Sequence, residues 1–217
     1  MARILITSGP TRQYIDPVRY LSNASSGQMG YSLAAAALER GHEVVVVSGP
    51  VQLTYPEKCQ VINVISTEDL LRVCREVFPD CDGLIGAAAP CDYQPVEVAD
   101  HKIPKTGDSL VIKLIETPDV VATLGNEKKP GQWTVGFALE TDDARFRAIT
   151  KLERKSCDLV VLNGVAAIDS PDNQVEIIAP GGQVLQAVQG NKQQVAGSIL
   201  DLIDQRLNPE HGKHERS

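Results

Sequence analysis

Four groups of residues have the types and spacing to do chemistry. The first is Gly9, Thr11, Arg12, Arg19 and Asn23, followed by Ser25-Ser26-Gly27. A Ser/Gly turn that opens a helix offers backbone N–H groups and the positive end of the helix dipole, which suits a phosphate. Arg12, Arg19 and Asn23 add cationic and amide donors beside it, so a ligand is favoured over a plain capping turn. The spacing matches neither G-x-G-x-x-G nor G-x-x-x-x-G-K-[ST].

The second group is Ala87-Ala88-Ala89-Pro90-Cys91-Asp92-Tyr93. Its small residues let backbone approach a ligand, and Asp92 can accept from a hydroxyl or hold a metal; unaided, a packed strand end reads slightly better. The third is His101-Lys102-Ile103-Pro104-Lys105, either a mobile phosphate clamp or a solvated loop, with His101 a bystander. The fourth runs from Phe137 into a helix carrying Arg147, Lys151 and Lys155. Lys151 and Lys155 share a face at i,i+4. Such stripes are ordinarily just solvated, but this one starts at a strand's carboxyl end and would overhang the same crevice.

Other schemes find little support. There are 4 histidines, two of them (His211 and His214) in the tail, and no G-x-S-x-G elbow. No His/Cys/Asp set has metal-ligand spacing. What remains is a site of cations, backbone amides and amide side chains. That inventory suits positioning and charge stabilisation in phosphoryl or nucleotidyl transfer.

These groups need a frame. Strands are expected at Arg3–Thr7, Val44–Val47, Val61–Ile65, Gly83–Ala87, Leu110–Ile115, Val135–Ala138 and Leu159–Leu162. Four consecutive valines mark a strand buried on both faces. Helices are expected from Gly27 to Arg40, from a Thr67 cap to Phe78, from a Thr117-Pro118-Asp119 start with Thr117 as N-cap, from Thr141 to about Lys155, and from about Lys192 to Leu207. Val175–Ile178 and Val184–Val188 read as a hairpin joined at Pro180-Gly181-Gly182. The alternation gives an α/β fold with helices on both faces of a mostly parallel sheet and an antiparallel C-terminal hairpin. The loop from Ser8 to Ser26 far exceeds the usual βα turn, and long loops at the carboxyl ends of parallel strands are where such folds bind ligands. One domain over 1–207 and a disordered tail over 208–217 are expected.

The 217 residues carry 21 Lys+Arg against 28 Asp+Glu, a net charge of −7, which argues against a nucleic-acid binder. A locally basic pocket for a small anion remains open. Five cysteines without a CxxC support neither a zinc site nor a disulfide framework, and free thiols fit a reducing cytoplasm. There is no signal-peptide pattern and no run long enough to span a bilayer. The apolar positions Val175, Ile177, Val184 and Val188 suggest that a second copy covers the hairpin, giving a homodimer.

The chain closely resembles the phosphopantothenoylcysteine synthetase family, the cysteine ligases of coenzyme A biosynthesis. The match lies in Thr7 to Arg12, Asp16 to Tyr20, Ser22-Asn23, Ser25-Ser26-Gly27 and Met29-Gly30. It continues in Ala88-Ala89, Asp92-Tyr93, Lys102-Ile103, Thr117-Pro118-Asp119, Gly136-Phe137-Ala138 and Glu140-Thr141. The resemblance implies a Rossmann-like three-layer fold and a two-step reaction. The carboxylate of 4′-phosphopantothenate attacks the α-phosphate of CTP, with Mg²⁺, to give an acyl-cytidylate and pyrophosphate. The amine of L-cysteine then displaces CMP. It implies that Asn23 and Lys102 are catalytic, with Arg19, Asn23, Ala88, Ala89 and Asp92 at the substrate. It also implies nucleotide contacts at Gly9, Thr11, Ser25, Ser26, Gly27, Asp92, Lys102, Lys105, Thr117, Pro118, Asp119, Val120, Phe137, Lys151 and Lys155. Gln28 stands where the family commonly has Lys. No flavin is expected, and with no decarboxylase segment the chain looks free-standing. The rival readings are a nicotinamide-dependent oxidoreductase, which lacks its dinucleotide fingerprint, and a nucleotide-sensing module without catalysis.

Overall fold

The computed structural model describes residues 1–139, 143–163 and 173–208. The strands are β1 (Arg3–Ser8), β2 (Arg12–Tyr14), β3 (Tyr20–Ser22), β4 (Glu43–Ser48), β5 (Gln60–Asn63), β6 (Gly83–Gly86), β7 (Tyr93–Pro95), β8 (Leu114–Glu116), β9 (Trp133–Leu139), β10 (Leu159–Asn163), β11 (Asn173–Ile178) and β12 (Val184–Gly190). The helices are α1 (Gln28–Glu39), α2 (Thr67–Val77), α3 (Val120–Glu127), α4 (Ala144–Arg154) and α5 (Lys192–Arg206).

Eight strands form one sheet in the order β12-β11-β10-β9-β6-β1-β4-β5. From β5 to β10 all neighbours are parallel, and β11 and β12 add antiparallel to the β10 edge. The six parallel strands follow the order of dinucleotide-binding doubly wound sheets, which places a topological switch point between β1 and β6.

Alternation along each strand builds the layers. Ile4 and Ile6 of β1 and Val44 and Val46 of β4 join α1 and α5 in one core through Leu33, Val195 and Ile199. Leu5, Val45 and Val47 face the other way, onto Leu70 and Cys74 of α2 and Leu124 of α3. Ala148 and Leu152 of α4 pack on Val160 and Leu162. Each such fully buried aliphatic side chain contributes about 1.5–3 kcal/mol. This is the expected α/β frame of three layers.

Several expectations change. The long first loop contains a small antiparallel ribbon, β2 paired with β3, braced by Arg12 over the Tyr20 ring and by an edge contact of Tyr14 with Tyr20. A second ribbon pairs β7 with β8, and only Leu114 and Ile115 of the expected Leu110–Ile115 strand are in it, with Glu116 added beyond it. Helix α2 is capped by Ser66 rather than Thr67, through a reciprocal capping box with Asp69. Helix α3 is capped by Asp119 rather than Thr117, with its carboxylate accepting from the Ala122 N–H. Both threonine hydroxyls are taken by tertiary partners described below. The C-terminal hairpin forms as expected; Val175 and Ile177 are buried against the chain's own α5, while Val184 remains exposed. The expected Thr141 cap and residues 209–217 of the expected tail lie outside the described residues. Asn208 is described, and its side-chain oxygen accepts from the Trp133 indole N–H at 3.1 Å. Among the described residues no helix is long and apolar enough to cross a membrane.

Candidate functional site at the sheet switch point

The chain leaving β1 and the chain leaving β6 run side by side at the switch point. Gly9 accepts from the Ala89 N–H at 2.9 Å, and Pro10 bridges to Ala89. Gly9 has φ +71, and a Cβ there would lie 2.7 Å from Val51. Ala88 donates its N–H to the Thr7 hydroxyl at 3.2 Å. Asn23, on the segment after β3, reaches into this seam. Its amide donates to the carbonyls of Pro90 at 2.9 Å and Ala89 at 3.4 Å. Asn23, Ala88 and Ala89 are therefore brought together, with the Asn23 side chain exposed at the rim.

The next stretch, Pro90 to Asp92, is held by hydroxyls. Cys91 donates its N–H to Thr11 Oγ1 at 2.8 Å, Thr11 and Thr67 share a bond of 2.8 Å, and Thr67 reaches the Cys91 carbonyl at 3.2 Å. One set of proton positions satisfies every member: Cys91 gives to Thr11, Thr11 to Thr67, and Thr67 back to Cys91. Thr117 adds a second hydroxyl to that carbonyl at 2.6 Å, and its N–H meets the Asp92 carbonyl at 2.9 Å. Thr11 is buried and engaged, so its side chain fixes the floor of the site rather than facing a ligand. The ring leaves the Asp92 side chain exposed beside the Thr117–Asp119 turn.

Helix α1 starts at the same end. Gly27 is its N-cap, at φ 74, and has no side chain with which to cap the first turn. Ser25 and Ser26 lie next to that turn, accepting from the N–H groups of Gly27 and Gln28 at 3.4 Å. Ser8, at the end of β1, anchors the turn: its hydroxyl donates to Gly27 O at 3.2 Å and accepts from Tyr55 at 2.7 Å. A Cβ on Gly30 would collide with Ser8, so glycine is what lets α1 approach β1 this closely.

On the other side of the switch point, β9 brings Phe137 to its carboxyl end, half-buried. Lys155, at the end of α4, pairs with Asp119 Oδ1 at 3.1 Å, and Arg154 lies 3.6 Å from Oδ2. The Thr117-Pro118-Asp119-Val120 turn and Lys155 thus form one group. Lys151, one turn back on α4, is half-buried.

Lys102 and Lys105 sit exposed on the strap that leaves β7 and returns to β8. The strap is tied to the first loop through the Ala99 N–H on Ile15 O at 3.0 Å and through Ile103, whose N–H meets Asp16 Oδ2 at 3.1 Å. Arg19 spends its guanidinium on the buried Asp16 carboxylate and on Ile103 O, the latter at 2.7 Å. The Arg19 guanidinium holds the Asp16 carboxyl far below the usual carboxylate range; burial opposes this and is outweighed. Sequence reasoning gave Asp16 and Thr67 no role in the site. The Asp-Pro-x-Arg spacing held a signal for the first, since an Asp side chain accepting from the N–H groups two and three residues on is a known turn device.

No group of three or more His, Cys, Asp or Glu side chains able to hold a metal occurs among the described residues. The arrangement is one of oriented amides, hydroxyl-locked backbone and peripheral lysines, which can bind and polarise phosphates without a side-chain nucleophile.

The comparisons with known proteins agree with this geometry. The family model described as DNA/pantothenate metabolism flavoprotein C-terminal domain matches residues 1–207. The coenzyme A biosynthesis bifunctional protein CoaBC of Bacillus subtilis is 43% identical over 205 residues, covering 92% of this chain and 50% of that protein. The protein of the same name from Haemophilus influenzae is 38% identical over 204 residues, covering 93% and 51%. The chain therefore spans about half the length of the curated relatives it matches. A crystal structure of the C-terminal domain of CoaBC superposes with a TM-score of 0.80 at 36% identity, covering 96% of each chain. The DNA/pantothenate metabolism flavoprotein from Streptococcus pneumoniae gives 0.82 at 25% identity, covering 94% and 99%. With its match running from residue 1 to residue 207, this chain belongs to the family of the DNA/pantothenate metabolism flavoprotein C-terminal domain.

Proposed function

We propose that the chain is a phosphopantothenate–cysteine ligase acting in coenzyme A biosynthesis. It joins 4′-phosphopantothenate to L-cysteine and converts CTP to CMP and pyrophosphate. The observation that carries the reading is the convergence at one switch point of Asn23, the Ala88–Asp92 segment, the first turn of α1 and the Asp119–Lys155 pair. A carboxylate resists an amine until one of its oxygens becomes a good leaving group, and nucleotidyl transfer supplies that. The names of the relatives point to the same pathway.

The residue roles are those that the family resemblance implies, and the chemistry of each side chain suits its role. Gly9, Ser25, Ser26 and Gly27 line the phosphate end, where N–H groups and the helix dipole favour anions. Lys102, with Lys105 behind it, neutralises charge that develops as pyrophosphate leaves. Asn23 is a neutral donor that binds the acyl-phosphate without adding charge, beside Ala88, Ala89 and Asp92. Thr117 to Val120 form the base side beneath Phe137, and Lys151 and Lys155 meet the nucleotide. Backbone groups in that turn pair with the cytosine edge and exclude a purine, so kcat/KM for CTP exceeds that for ATP. Among the described residues no group of three or more carboxylates, histidines or cysteines offers an all-protein cage for Mg²⁺. That ion would be carried by the triphosphate, where it would supply charge neutralisation.

The domain spans 1–207, and a second copy covers the β7–β8 ribbon, where Tyr93, Val96, Val98, Val111, Leu114 and Ile115 are all exposed. Light scattering should then report twice the mass of the chain.

The decisive experiment measures pyrophosphate from CTP and phosphopantothenate, with and without cysteine. Release without cysteine, together with an acyl-cytidylate seen by mass spectrometry, supports the reading. Asn23→Ala should keep that first step and slow amide formation by about 10²–10³. No pyrophosphate under either condition would overturn the assignment.

A further inference from the structure

Arg19 carries positive charge beside a phosphate-binding loop, which by itself suggests a substrate contact. Its geometry says otherwise. The Asp16 side chain is wholly buried, and it accepts from the N–H groups of Val18 at 2.9 Å and Arg19 at 2.8 Å through Oδ1. Its Oδ2 accepts from the Arg19 guanidinium and from the N–H of Ile103. Arg19 then donates onward to the Ile103 carbonyl at 2.7 Å. The carboxylate thus takes the N–H of Ile103 while the guanidinium takes its C=O, so both polar backbone groups of one residue are held by one ion pair. Ile103 is next to Lys102, on a strap whose neighbours are exposed and rich in polar residues. Few apolar contacts fix such a segment, so its position depends on these bonds.

We infer that Asp16 and Arg19 are positioning residues: their ion pair clamps the backbone of Ile103 and thereby aims the Lys102 ammonium at the phosphates. This rests on the role given to Lys102 above. A charge misplaced by about 1 Å can cost about 10²-fold in rate, so the clamp's effect should be read in kcat. A guanidinium is also needed for its shape. Its Nε and one terminal nitrogen both hold Asp16 Oδ2 while that terminal nitrogen also donates to Ile103 O, a planar set of three bonds that the point charge of an ammonium does not reproduce.

The test is a mutant cycle on the full chain, using pyrophosphate release, with Asp16→Asn, Arg19→Lys and Lys102→Gln singly and in pairs. Arg19→Lys keeps the charge and loses the fork. The expected result is a kcat lowered by about 10²-fold in Asp16→Asn and Arg19→Lys, with KM for phosphopantothenate within about twofold. Added to Lys102→Gln, either change should cost less than about twofold more. Hydrogen exchange should accelerate at the Ile103 amide in both clamp variants while the β1 and β6 amides stay protected. Fully multiplicative effects, or a raised KM for phosphopantothenate with kcat intact, would overturn the clamp and return Arg19 to the substrate. Unchanged exchange at Ile103 would overturn it as well. Wild-type pyrophosphate release by Lys102→Gln would instead overturn the role of Lys102 itself. Should Asp16→Asn fail to fold, Arg19→Lys carries the cycle alone.

Discussion

Replacing Thr67 by Val deletes one hydroxyl and keeps the shape, which isolates the ring around Cys91. That hydroxyl gives one bond, to the Cys91 carbonyl, and takes one, from Thr11. After the change the Cys91 carbonyl still has the Thr117 hydroxyl, but the Thr11 hydroxyl is left as a donor in a site with no water access. An orphaned buried donor costs about 1–3 kcal/mol. At about 2 kcal/mol, a domain of this size should lose about 4–8 °C in Tm. Thr117→Val strands no donor, because Thr67 continues to serve the carbonyl, and should cost about 1 kcal/mol or less. Scanning calorimetry on Thr11→Val, Thr67→Val and their combination completes the measurement. In the Thr11→Val background there is no donor left to orphan, so Thr67→Val should cost about 1 kcal/mol less than it does alone. Additivity within about 0.5 kcal/mol, or a Thr67→Val midpoint equal to wild type, would refute the ring.

Asp16 has its carboxyl pKa depressed, so its stabilising contribution is complete above the unfolded carboxylate value of about 4 and disappears as pH falls through the lower folded value. Asp16→Asn should therefore flatten the acid limb of stability against pH in urea titrations, and parallel acid limbs would contradict this. Gly30→Ala drives a Cβ into Ser8 and should destabilise by about 1–3 kcal/mol in chemical denaturation while weakening nucleotide binding through the displaced α1 turn. An unchanged midpoint would show that α1 can move away freely. Burial pushes the thiol of Cys74 up to about 12 and those of Cys81 and Cys157 up to about 11, so at pH 8 they carry almost no thiolate. Alkylation mapped by mass spectrometry should reach half-buried Cys59 first, and early labelling of Cys74 would count against the packing of α2.

How much was legible in the sequence depends on where each signal resides. The apolar runs of β1, β4, β6, β9 and β10 are buried on both faces, so composition alone marks them. Ala88 and Ala89 lie beside the chain leaving β1 because β1 and β6 are neighbours that end together, whereas Asn23 reaches them only because the β2–β3 ribbon returns the chain to that edge. The caps failed for a local reason: Ser66 stands beside Thr67 and Asp119 beside Thr117, and any of the four can cap. Tertiary demand decided, because the Cys91 peptide needed hydroxyl partners that no local rule contains. The β2–β3 ribbon was invisible because three-residue strands have no period to detect. The apolar pattern of β11 does not say what covers it, and it is α5 that buries Val175 and Ile177.

The parallel sheet also governs how the protein comes into being. Ile4 aligns with Gly83, and Gly83 with Trp133, so the strands that flank the seam meet only after long stretches of chain have closed into loops. Such non-local pairing makes for slow folding, since the entropy of closure is spent before contacts reward it. The ribosome releases β1 and its valine-rich neighbour β4 well before β6 or β9 exists. During that interval two strands built for burial on both faces lack half their partners and are open to association with other nascent chains. The seam that gathers the reacting groups thus forms only once β6 has closed back onto β1. Refolding yield should fall steeply with protein concentration, and ligand binding should return together with the final spectroscopic phase rather than ahead of it.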